Sequence, residues 1–191
     1  MFCKYSRYDK RIIEPFALSV LAASFSSVFA TYTKPQTTDD FDYVSADGNS
    51  ALEISLILPE NEKEAYVYER ELHLKGKRNV KKSRIANALF NNKNDLVFHF
   101  GGSMQEISSL ITNRIIEKDA IAKRRIEKDL ISSVDLCLCI VDGSLYDIHS
   151  FRLALPSLNS YIFERIFFIT PSYFIVYKKN FGFSEFDRKY E

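Results

Sequence analysis

A chain of 191 residues falls within the size of one domain and is long enough to bury most of its unfolded surface in a core. Its 46% hydrophobic and 14% aromatic content, against 6 Gly and 5 Pro, excludes a disordered or low-complexity chain. A net charge of +1 excludes whole-molecule attraction to nucleic acid, so any such binding has to come from a local patch.

Lys4, Arg7, Lys10 and Arg11 precede the apolar run "FALSVLAASFSSVFA", residues 16–30, which has the outline of an export signal. Asp9 and Glu14 interrupt the basic region, and the run is shorter than the roughly 20 apolar residues of a spanning helix. Residues 11–30 therefore read as a buried helix, with Pro15 tolerable in a first turn. Cys3, Cys137 and Cys139 have neither paired nor zinc-ligand spacing, which leaves buried free thiols and a cytoplasmic setting.

Next come three β-type runs, "ATYTKPQ", "FDYVS" and "SALEISLIL", separated by the turn-prone "TTDD" and "ADGN", an antiparallel meander. In the third run, Leu52, Ile54 and Leu56 share one face, and Glu53 shares the other with Ala51, Ser55 and Ile57. A carboxylate within an apolar strand costs free energy unless it is paired, protonated or metal-bound. Asp42 and Glu53 each sit on such a run.

After Pro59, "ENEKEAYVYERELHLKGKR" reads as a charged helix ending near Gly76. The stretch "KGKRNVKKSR" brings Lys77, Arg78, Lys81, Lys82 and Arg84 together, either as a solvated face or as a phosphate grip. "DLVFHF" is strand-like and leaves through a Gly-Gly pair. From Ser103 to Asp129 the pattern is helical, with Ser103 and Glu106 as a capping box. Ile107, Leu110, Ile111, Ile115, Ile121, Ala122 and Ile126 form its apolar stripe, with Lys118 in the middle and Arg114 and Arg125 at its flanks. A basic residue centred on an apolar face asks for a carboxylate partner or must snorkel to the edge.

"VDLCLCIVDG" and "ERIFFIT" are continuous apolar runs, the pattern of strands covered on both faces. A short helix is expected between them, around residues 147–158, and "SYFIVYKK" reads as an edge strand. The expected whole is one domain over 1–191, with a tail (1–10), a core (11–142) and a C-terminal helix and strand extension (143–191). Its class is mixed α/β with helices on the sheet faces. The sequence holds no phosphate loop, no His-Glu-x-x-His and no nucleophile elbow, and His73, His99 and His149 are isolated.

"FDY", a turn and "ALEIS" resemble the Pro-Asp, spacer, Glu-x-Lys pattern of the restriction-endonuclease-like, PD-(D/E)xK, nucleases. The helix–meander–helix–strand order over residues 11–142 is also similar to that family's core, and Asp142 stands where a buried strand ends in Asp in small nuclease-like proteins. The resemblance implies a three-layer α/β/α fold with a mixed central sheet. It makes Asp42 and Glu53 ligands of Mg2+ or Mn2+, and Glu14 an auxiliary acid from the first helix. Phe41 replaces the motif proline, and Ser55 stands where the family has its Lys. Family members recruit that Lys from the neighbouring helix, a place that Lys118 fits by its periodicity.

The implied activity is metal-dependent hydrolysis of DNA, in a defence setting, with a protein partner or a homo-oligomer supplying target choice and no membrane involved. Two further readings stay open: a catalytically inactive nuclease-like scaffold or interaction subunit, and an α/β protein with an N-terminal membrane or export segment.

Overall fold

A computed structural model describes residues 10–36, 41–58, 104–129, 131–140, 152–153, 155, 157–170 and 173–187. The elements are α1 (Lys10–Ser24), α2 (Ser26–Phe29), β1 (Tyr43–Val44), β2 (Ser50–Ile57), α3 (Met104–Asp129), β3 (Ser133–Ile140), β4 (Arg165–Ile169), β5 (Tyr173–Lys178) and β6 (Gly182–Asp187). The six strands form one open mixed sheet in sequence order. β2, β3 and β4 run parallel at its centre, and antiparallel pairs flank them, β1 on β2 at one side and β5 and β6 on the other.

Period-2 alternation sorts the strand residues onto two faces. Ala51 and Ile57 of β2, Val134, Leu136, Leu138 and Ile140 of β3, and Ile166 and Phe168 of β4 pack with Ile107, Ile111, Ile115 and Ala122 of α3. The opposite face carries Leu52, Ile54, Cys137, Cys139, Phe167 and Ile169 against Ile13, Ala17 and Leu21 of α1 and Phe29 of α2. Helices thus cover both faces, which is why β3 reads as a continuous apolar run. Cys137 and Cys139 are buried on this second face.

The first helix departs from its expected outline. Pro15 lies inside α1 rather than in its first turn, removing one N–H from the hydrogen-bond ladder. The helix breaks at Phe25, whose extended φ of −138° turns its ring onto Phe167 and Phe174, at centroid distances of 5.7 and 6.1 Å. The expected three-strand meander also contracts. "ATYTKPQ" contributes a single bridge, Thr33 to Val44, and β1 is two residues long.

The Asp-Gly turn forms as its composition suggests. Gly48 takes φ 72°, and the Asp47 carboxylate accepts from Ser45 Oγ at 2.6 Å and from the Asn49 amide at 3.0 Å. β5 is not an edge strand, because Gly182, at φ 85°, opens β6 to pair along its whole length. The charged helix after Pro59, the strand "DLVFHF" and the Ser103 cap lie outside the described residues, as does most of the expected helix at 147–158. Among the described residues, no helix is long and apolar enough to cross a membrane.

Candidate functional site

β2 turns Glu53 toward α3, where its side chain is 1% exposed. Lys118 and Arg125 meet it there. They are seven residues apart, two helical turns, and therefore stand one above the other on the face of α3 that covers the sheet. Lys118 Nζ donates to Glu53 Oε2 at 2.5 Å, and Arg125 Nη1 donates to Oε1. The Arg125 guanidinium also lies over the Phe41 ring, 5.4 Å from its centroid. Burial pushes the Glu53 carboxyl above its usual range, with Lys118 opposing, the nearby charge of Asp42 reinforcing and Arg125 opposing.

Asp42 precedes β1 directly. One step along the register of Tyr43 with Leu52, it comes opposite Glu53, and one of its carboxylate oxygens accepts the Ile54 amide at 2.7 Å. β1 has ended there, so the side chain takes over an N–H that a longer strand would have bonded with its backbone. Glu14 approaches from the other layer. It is buried on α1, which packs on the Leu52 and Ile54 face, and it receives Lys34 Nζ at 3.0 Å. Its charge reaches Tyr43, as does that of Asp42. The charge of Asp42 thus acts on Glu53, and the two glutamates lie on opposite faces of the sheet.

Of the residues singled out in the sequence, Asp42, Glu53 and Lys118 come together, and Glu14 stands apart on the α1 face. Lys77, Arg78, Lys81, Lys82, Arg84 and Asp142 lie outside the described residues. Among the described residues, no group of three or more His, Cys, Asp or Glu is arranged to hold a metal ion. Two hard carboxylates are nevertheless the kind and number that magnesium takes when waters and substrate phosphate complete its shell. Asp42 and Glu53 fit that donor set in chemistry, with the condition that both Glu53 oxygens now carry cations.

Sequence reasoning passed over a second buried ion pair on the opposite face. Arg165 of β4 grips Asp135 of β3 with both arms, Nε to Oδ1 at 3.0 Å and Nη2 to Oδ2 at 2.6 Å. The guanidinium lies over Phe29 and Phe167, at 5.3 and 5.7 Å. Asp135 inside "VDLCLCIV" carries the same signal that marked Glu53, a lone carboxylate in an apolar strand. Arg125 was also missed as a partner of Glu53, because a flanking position on a helix does not reveal which strand residue lies beneath it.

Compared with protein-family models, curated proteins and solved structures, the chain matches none.

Proposed function

We propose that the chain is a metal-dependent nuclease that hydrolyses phosphodiester bonds in DNA, on a restriction-endonuclease-like three-layer scaffold. The observation that carries this reading is the 2.5 Å contact of Lys118 with Glu53, beside Asp42. A lysine from the long helix thereby stands next to the motif glutamate, while Ser55 occupies the strand position the family gives to lysine.

In this reading Asp42 and Glu53 hold Mg2+ or Mn2+. The bound ion supplies Lewis acidity and a water of lowered pKa. Lys118 offers an ammonium donor to the attacking water or to the departing oxygen, and Glu53 keeps that ammonium in place. Glu14 serves as the auxiliary acid from α1, beside Lys34. Lys77, Arg78, Lys81, Lys82 and Arg84 grip backbone phosphates, a contact that weakens as salt rises. A cytoplasmic defence role, with a partner or a second copy choosing the target, completes the proposal.

The test is cleavage of labelled single- and double-stranded DNA with Mg2+ or Mn2+, comparing wild type with Glu53→Gln and Lys118→Ala. Loss of metal-dependent cutting in both variants is the expected result. Cutting that survives Glu53→Gln would overturn the assignment.

One observation favours a second reading. Both oxygens of Glu53 are taken by cations, the arrangement expected of an inactive nuclease-like scaffold whose ion cluster pins α3 to the sheet. That reading predicts that no divalent ion raises the melting temperature of the wild-type protein.

A further inference from the structure

The turn between β5 and β6 presents a phenylalanine to water on a backbone that is anchored from several sides. The Phe181 amide donates to the Lys178 carbonyl at 3.0 Å, and Asn180, at φ 66°, stands where such a turn needs a left-handed residue. The Asn180 amide donates to Asn159 Oδ1 at 3.1 Å, an oxygen that also accepts the Tyr177 hydroxyl. Lys179 is tied twice, its amide to the Glu164 carbonyl and its ammonium to the Tyr161 carbonyl, both at 3.0 Å. At the tip of this anchored turn the Phe181 ring is 79% exposed, more than any other large hydrophobic among the described residues. Cations accompany it. Lys178 Nζ lies 4.6 Å from the ring centroid, and the exposed Arg152 lies over the next aromatic, Phe183, at 5.6 Å while donating to the Phe183 carbonyl at 3.2 Å. Phe183 itself is taken up by the core, against Phe168 and Tyr177. Among the described residues neither Lys178 nor Arg152 has a carboxylate partner, unlike Lys34, Lys118, Lys123, Arg125 and Arg165. The charge of Glu164, at the base of the turn, acts on Arg165.

We propose that this tip is a contact for single-stranded nucleic acid: an unpaired base stacks on the uncovered face of Phe181, and Lys178 and Arg152 meet the flanking phosphates. Two cations without carboxylate partners complement a polyanion, and one exposed ring on a fixed turn is what an unpaired base needs. A membrane surface or a protein partner takes up a contiguous apolar patch, whereas Phe181 stands between Asn180 and Gly182. A duplex keeps the faces of its bases stacked on one another and offers the ring nothing. The inference rests on the nuclease reading, which supplies nucleic acid as the ligand class, and deepens it by making an unpaired strand the substrate. Two strands, β3 and β4, separate the hairpin from Glu53 on β2, so the contact governs affinity and strand choice.

The chain has no tryptophan, so Phe181→Trp places a single indole reporter at the tip of the full-length protein. The experiment titrates this variant with oligothymidylate and follows its emission, and measures binding of labelled oligothymidylate by anisotropy for wild type, Phe181→Ala, Lys178→Gln and Arg152→Gln over a series of salt concentrations. Circular dichroism establishes that each variant is folded. The expected result is quenching of the indole by the strand, and binding about tenfold weaker in Phe181→Ala with its salt dependence unchanged. Lys178→Gln and Arg152→Gln should each lower the slope of log affinity against log salt by about 0.7. A duplex of equal length should bind wild type and Phe181→Ala alike. Single-strand binding or cutting that is unchanged in Phe181→Ala but needs Glu53 sinks the inference and leaves the nuclease reading standing. An indole that ignores the strand but shifts to the blue on phosphatidylserine vesicles assigns the tip to a membrane surface, and one that shifts with protein concentration alone assigns it to a second copy; either overturns the inference. Absence of binding and of cutting of any nucleic acid by wild type removes inference and nuclease reading together.

Discussion

Tyr32 shows how far burial alone can move a single group. Its hydroxyl is buried with no partner in hydrogen-bond geometry among the described residues; Ser50, beside it, shares its hydroxyl with Ser133 at 2.9 Å and pulls the Tyr32 pKa back down against burial. Burial, reinforced by the charge of Asp135, pushes its pKa up to about 12 from 10.0. A folded-state pKa raised above the unfolded one gives stability that is complete below pH 10 and disappears as pH rises through about 12. Tyr32→Phe should therefore flatten the alkaline limb of the stability curve in that window. At neutral pH it should also stabilise by about 1 kcal/mol, since an unpaired polar group leaves the core. Urea melts of both proteins at pH 7 and across the alkaline window measure this. The Asp135 and Arg165 pair behaves in the opposite sense. Arg165→Met strands a buried carboxylate and should cost about 3–5 kcal/mol, and adding Asp135→Leu should recover most of that loss. A double-mutant cycle in urea reads both terms.

At the scale of elements, the sheet depends on side chains where its backbone pairing is short. β1 has two residues, and Asp42 supplies the next acceptor for β2 through the Ile54 amide at 2.7 Å. Asp42→Ala should cost about 1.5–3 kcal/mol, the range for a hydrogen bond to a charged group, and should speed exchange of the Ile54 amide in particular. α3 is anchored twice in the same manner. Lys118 and Arg125 tie it to Glu53, and Asp119 accepts the Ile162 amide at 2.7 Å, holding the segment that leads into β4. The helix and its stripe were legible because apolar residues repeat with the helical period, and Lys118 was legible because it interrupts them. β6 was not legible. "GFSEFD" begins with glycine, and its two phenylalanines are three apart, so it lacks the alternation that marks a strand. It pairs because β5 presents a long unpaired edge to it, a property of β5 that no residue of β6 encodes.

Across the whole molecule, the mixed sheet grades stability from centre to edge. β2, β3 and β4 are buried on both faces, and their parallel ladder runs from Ser50 with Ser133 to Ile57 with Ile140. β1 is a two-residue strand next to one bridge, and β6 is the strand furthest from β2 in the sheet. Amide exchange in the native state should be slowest in Leu136–Ile140 and Ile166–Ile169, and faster by orders of magnitude in β1 and β6. Uniform protection across the six strands would show that the graded description is wrong. The two buried ion clusters lie on opposite faces of this sheet, Glu53 beneath α3 and Asp135 beneath α2. Neutralising one should therefore leave the other's energetics additive.

By itself, the sequence determined the α/β class, the strands β3 and β4 buried on both faces, the Asp-Gly turn and the place of Lys118 on the inner face of a long helix. Each of these follows from a local period or from the conformational demands of a few neighbouring residues. Only the tertiary structure decided that Arg125 joins Lys118 on Glu53, that Glu14 lies across the sheet from them, that Arg165 answers Asp135, and that β5 has a neighbour. The ion pairs depend on residues 30 and 72 positions apart meeting in space, and local periodicity carries no information about which face of one element lands on which residue of another.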